Sequence, residues 1–305
     1  MRGTITMRES TKNKEAETPR ELPEKYEARF QDILNSIPEK ERAGALGADE
    51  LKSIKSGLLE KYKGLEQEIE FVFSEIEQLR DQERIGKLKE YERQGTITGG
   101  GEEEIRGIKL NLTESFFLQS AYILANKEDE DYLKGLLDLT DQIAWRLGEI
   151  KTWRAIRKGM LGEVALYRLL EKQGFSPKMP HPREDANLHI DMWGADKKSG
   201  NKLIAQVKHT AFAQKPQFFQ TEEELAAWME ETTKRFKAEG NEAGETRFAE
   251  LSAKLKTDFG EMEKYCLDIS DDAKPIVIIF PEGSLDPYTG ELKEEHFKDF
   301  KIELD

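Results

Sequence analysis

A single cysteine, Cys266, leaves this chain no internal disulfide to form. That absence fits a reducing, cytoplasmic setting. Cys266 sits in "MEKYCLDI", where a thiol reads as a small buried hydrophobe and not as a nucleophile. Histidine is scarce too. Four histidines and one cysteine, none at i/i+4 ligand spacing, argue against a structural zinc site. The longest aliphatic-aromatic run is "IVIIF" at 276–280, far too short to span a bilayer. The first residues lack the apolar stretch of a secretory signal. Positive charge is in deficit: 47 basic against 61 acidic residues gives 47 − 61 = −14, so no chain-wide footprint for a polyanion exists. Neither GxxxxGK[ST], GxGxxG, GxSxG nor HExxH occurs, which leaves ATPase, dinucleotide, serine-hydrolase and zincin readings without support.

What is present falls into two textures. Residues 1–20 are polar and read as a disordered tail. Residues 21–95 read as a long helix or coiled coil. Leu51, Ile54, Leu58, Tyr62, Leu65, Ile69, Val72, Ile76 and Leu79 form a heptad-like seam, with a lengthened step pair near Leu58 and Tyr62. The expectation is one helix over about 48–94, packed in cis as a hairpin or in trans as a homodimer. The glycine-rich stretch 96–103 breaks it and reads as a linker. A second helical region covers 104–150, with apolar residues at helical spacing from Tyr132 to Leu147.

From 151 to 305 the order changes to helix, strand, strand, helix, strand, an α/β arrangement. The helix carries an apolar stripe, Trp153, Ile156, Met160, Val164 and Tyr167, with Glu163 beside it after Gly159 and Gly162. "LHIDMWGADKKSGNKLIAQVKHT" then reads as a hairpin. On its first strand Leu188, Ile190 and Met192 are expected to point one way and Asp191 the other. On its second, Gln206 and Lys208 share a face. "KPIVIIFPEG" reads as a buried strand.

These residues suit phosphodiester hydrolysis. A hard divalent cation takes oxygen ligands, so Asp191 is a direct ligand, Glu163 a second, and the Gln206 side-chain carbonyl and the Val207 backbone carbonyl are further candidates. Lys208 would orient or deprotonate the attacking water, or stabilise charge building on the phosphate. Between Lys151 and Arg183 there are eight basic residues against two acids, a local net of +6. Arg154, Arg157 and Lys158 on the helix, with Lys197 and Lys198 in the hairpin turn, are candidate phosphate contacts. Lys215 and the aromatics Phe212, Phe218 and Phe219 would extend that surface.

The string "GMLGEVALYRLLEKQGF … HIDMWGADKKSGNKLIAQVKHT" resembles the core of the PD-(D/E)XK, or restriction-endonuclease-like, nuclease superfamily, closest to its Mrr-like and Holliday-junction-resolvase-like branch. The resemblance spans about residues 151–285 and matches Glu163, Asp191, Gln206 and Lys208 to that family's helix acid, aspartate and final pair. It implies a central mixed sheet flanked by helices at the C-terminus, preceded by the all-α region. It also implies a Mg²⁺- or Mn²⁺-dependent endonuclease acting on DNA, double-stranded by expectation. Gln206 departs from the family's usual carboxylate and removes one negative charge. The competing expectation is a non-catalytic DNA- or protein-binding coiled-coil protein with a degenerate nuclease fold.

Overall fold

In the computed structural model the described residues are 24–40, 42–94, 101–182, 190–269, 273–297, 300–302 and 304. The expected tail lies outside them. Among them are nine α-helices and a five-stranded mixed sheet, and no helix is long and apolar enough to cross a membrane.

The first half is helical: α1 Glu24–Ser36, a 3-10 turn Ala43–Ala45, α2 Ala48–Lys61, α3 Glu66–Arg93, α4 Gly101–Ala125 and α5 Glu130–Arg146. The single helix expected over 48–94 is therefore two. Gly64 breaks it at φ 91°, a left-handed conformation that only glycine adopts cheaply. The Glu66 carboxylate accepts the Gly64 N–H at 2.9 Å and fixes the turn. The break falls where the seam's spacing lengthened. Of the glycine-rich linker, 95–100 lie outside the described residues, and 101–103 already belong to α4.

The seam is consumed inside the chain. Leu51, Leu58, Leu65, Ile69, Val72, Ile76 and Leu79 are buried in one cluster with Leu133, Leu136, Leu137 and Ile143 of α5. Of the two packings the sequence left open, this is the one in cis. A second copy does not have this stripe to dock on.

The second half begins with α6 Ile150–Lys172 and continues with β1 Phe175–Lys178, β2 Met192–Asp196, β3 Lys202–Thr210 and β4 Gln217–Phe219. Next come α7 Glu222–Glu239, α8 Glu242–Ile269, β5 Ala273–Pro281 and the short α9 Glu294–Phe297. The one helix expected between the hairpin and the buried strand is again two. Thr221 and Glu224 close a reciprocal capping box at the start of α7, and Gly240 ends it at φ 64°. The sheet order is β1-β2-β3-β5-β4. β1, β2 and β3 run antiparallel, β5 lies parallel to β3, and β4 closes the edge antiparallel to β5.

Side-chain alternation divides the sheet between two cores. Leu203, Ala205 and Val207 of β3 and Ile276, Ile278 and Phe280 of β5 pack under Ala165, Leu166, Leu169 and Leu170 of α6. Ile204, Val277 and Ile279 face the other way, onto Leu225, Met229, Leu255, Phe259 and Met262 of α7 and α8. A strand buried on both faces needs a continuous apolar run, which is how β5 reads. β1 and β4 carry no such signal. Both are short edge strands, and β1 contains Pro177, tolerated where no inner ladder partner is required.

The boundary expected at 150/151 is not a seam in space. α6 gives Trp153, Met160, Leu161 and Val164 to the helical core and its later residues to the sheet. Its approach to β3 is set by Gly162: a Cβ there would lie 3.8 Å from Val207 Cγ1 and from His209 Cβ. Gly162→Ala should therefore fit and raise stability by up to about 1 kcal/mol through helix propensity. Gly162→Leu should lower it by about 1–3 kcal/mol by forcing α6 off the sheet. Thermal unfolding of both variants checks this, and equal stability would show that α6 has slack at this point.

Candidate functional site

The candidate site starts where β2 starts. The Asp191 N–H donates to the Ala205 carbonyl at 2.9 Å, and its Oδ2 accepts the Val207 N–H at 2.6 Å. A side-chain oxygen thus takes the place of a main-chain partner and pulls Asp191 off the pleat. The expected alternation fails for the same reason. Ile190 packs with α7 and α8 and Met192 with α6, on opposite faces of the sheet. Leu188 lies outside the described residues, as do His189, Glu184 and Asp185.

Gln206 points to the α7–α8 face. It is 1% exposed, and its Nε2 donates to Asp258 Oδ2 at 2.7 Å. Asp258, on α8, is 2% exposed. No hydrogen-bond partner for Gln206 Oε1 exists among the described residues. Lys208, two residues on, shares that face and is half-buried. Asp258 was missed from the sequence, although a signal was there. It interrupts the apolar stripe Leu255, Phe259, Met262, Cys266 at helical spacing, which is where a buried acid with a partner would be sought. Cys266 itself is buried, and burial pushes its thiol up to about 11.

Glu163 is buried on α6, where Ser120 Oγ of α4 donates to its Oε2 at 3.5 Å. One turn earlier, a Cβ at Gly159 would lie 3.2 Å from the Phe116 ring, so this face of α6 looks at α4. The sheet stands between α6 and the face that carries Gln206 and Lys208. The structure brings Asp191 to Val207 and Asp258 to Gln206, and sets Glu163 on the opposite side. His209 follows Val207 toward α6. Burial first, and the Lys158 ammonium second, hold its imidazole below the ordinary value. The main chain of Lys158 and of Pro281 lies against the ring and pulls the other way.

The basic stretch is largely matched by acids that sequence counting placed elsewhere. Arg157 bonds Asp141 at 2.8 Å and the Pro287 carbonyl at 2.7 Å, and stacks on the Tyr288 ring. Arg154 lies 3.8 Å from Asp141, and Lys158 bonds Glu282 at 2.9 Å. Arg168 and Lys172 share Glu291. These side chains pin the segment 282–291 to α6. Lys197 and Lys198 are exposed in the β2–β3 turn. They are about 20 Å from Asp191 along the strand, given about 3.3 Å per residue. The Lys198 main-chain N–H, donated to Asp196 Oδ1 at 2.7 Å, holds the Asp196 carboxyl below its ordinary value. The aromatics proposed to extend the surface are packed inward: Phe212 on Phe236 and Phe248, Phe218 on Phe300, Phe219 on Trp228.

Among the described residues no three His, Cys, Asp or Glu side chains cluster as a metal site. The helical half holds a cleft of about 780 Å³ between α3 and α4, lined by Phe71, Arg80, Asp81, Leu118, Gln119 and Tyr122. No sequence signal pointed to it, because its walls come from two helices whose apolar stripes face elsewhere. The chain matches no protein-family model, no curated protein and no solved structure.

Proposed function

We propose that this chain is a Mg²⁺- or Mn²⁺-dependent endonuclease that hydrolyses DNA phosphodiesters, with a restriction-endonuclease-like core built of α6, β1–β3, α7–α8 and β5. The observation that carries the reading is the Asp191 carboxylate held on the Val207 N–H. It fixes the aspartate beside the Gln206-Val207-Lys208 run that the resemblance pairs with it. The order of helix, antiparallel strands, helices and a strand returning parallel to β3 supports the same core.

The donor set fits a hard cation on one structural ground. Gln206 Oε1 is a buried carbonyl oxygen without a hydrogen-bond donor among the described residues, the kind of ligand that Mg²⁺ and Mn²⁺ accept. Asp191, Gln206 and the Val207 carbonyl would hold the ion, which when bound polarises the phosphate and acidifies a water. Lys208 supplies a positive charge on the same face, to orient the attacking water and balance charge on the phosphate. Glu163 lies on the α4 side of α6, with Ser120 Oγ at 3.5 Å.

Incubation with supercoiled, single-stranded and branched DNA in Mg²⁺ or Mn²⁺ tests the proposal. Lys208→Ala should cut cleavage by roughly 100-fold or more with little change in unfolding temperature. Equal cleavage by wild type and Lys208→Ala would sink it. The alternative, a non-catalytic binding protein on a degenerate nuclease fold, is favoured by the ion-paired helix α6. It predicts no cation binding that depends on Asp191.

A further inference from the structure

Gln206 stands where the resemblance has a carboxylate, and a buried carboxylate stands beside it. Both side chains are almost solvent-free, at 1% and 2% exposure. The Gln206 amide presents its Nε2 to Asp258 Oδ2 at 2.7 Å. That places Oε1 on the other lobe of the amide, where it finds no hydrogen-bond donor among the described residues. A buried acceptor in that state is destabilising. A fold keeps such an oxygen most readily where it serves a ligand.

We propose that Gln206 and Asp258 act as one unit, in which Asp258 is a positioning residue that locks the Gln206 amide with its carbonyl oxygen turned to the cation site. The pairing also accounts for glutamine at 206: a glutamate there would lack the amide N–H that Gln206 donates to Asp258. The inference rests on the proposed function for the cation, and on the structure alone for the pairing.

The two parts separate in one experiment on the full-length chain with Gln206→Glu, Asp258→Asn and the double variant. The first readout is thermal unfolding without metal. Gln206→Glu should unfold at a lower temperature than wild type, because it loses the amide N–H donated to Asp258. The double variant swaps the two roles, with an asparagine on α8 donating to a glutamate on β3, and should recover the wild-type unfolding temperature. The second readout is Mn²⁺ binding followed by electron paramagnetic resonance. Asp258→Asn, which keeps an acceptor for Nε2 but removes the charge, should weaken binding roughly 10–100-fold. The double variant should bind more tightly than either single one. Should Gln206→Glu fail to fold at all, the Asp258→Asn and double variants still decide. A double variant no better than Gln206→Glu in stability overturns the pairing. Wild-type protein that neither binds Mn²⁺ nor cleaves DNA removes the cation role and the proposed function, while the unfolding temperatures still report on the pair.

Discussion

Asp191→Ala is expected to lower Mg²⁺-dependent DNA cleavage by about 1,000-fold or more and to loosen the start of β2 together with it. The residue has two tasks in the proposed site. Its charge faces the cation, and its Oδ2 accepts the Val207 N–H at 2.6 Å. Alanine leaves that half-buried N–H without its acceptor, at about 1–3 kcal/mol. Asp191→Asn separates the tasks. The Asn carbonyl still accepts from Val207, so the unfolding temperature should stay near that of wild type, while cleavage falls with the lost charge. Comparing unfolding and cleavage in both variants reads this directly. An Asn variant that cleaves like wild type would show that Asp191 serves the fold alone.

The second large effect lies in the helical core. Glu75 of α3 is fully enclosed, and neither of its oxygens has a hydrogen-bond partner among the described residues. Burial above all, and the Asp141 carboxylate after it, raise its carboxyl well above the ordinary 4.5, with Arg157 pulling the other way. The folded protein therefore holds a proton there that the unfolded chain gives up once the pH passes 4.5. Its contribution to stability is complete below that pH. It declines by about 1.4 kcal/mol per pH unit above it, until the folded carboxyl itself ionises. Glu75→Gln keeps the neutral shape and removes the titration. It should be close to wild type at pH 5 and more stable by a few kcal/mol at pH 8, measured by urea unfolding at several pH values. Parallel pH profiles would show instead that Glu75 is ionised in the folded state beside Arg157.

β3 and β5 were legible because burial on one or both faces writes itself into adjacent residues: alternation in "KLIAQVKHT", a solid run in "IVIIF". The helical half was legible as helix but not in its breaks, since Gly64 is one glycine among charged residues and only its φ reveals the turn. Asp191, Gln206 and Lys208 were singled out through order and spacing along the chain. What meets them from far along the chain was not legible. Asp258 meets Gln206 across 52 positions, and Glu282 meets Lys158 across 124. A local charge count over 151–183 reaches +6 because such partners lie outside the window, and folding brings them in. The packing of Glu163 was not legible for a related reason. Its closeness to Gly162 suggested the sheet, but a helix turns about 100° per residue, and that step carries it round to α4.

Helix α6 ties these observations to the behaviour of the whole chain. It gives one stripe to the helical core and its later residues to the sheet, so neither half has a complete interior without it. Such sharing makes unfolding cooperative across both halves: α6 cannot leave one core while staying folded for the other. A substitution that loosens either core of α6 is then felt by both halves, since each draws on the same folded population.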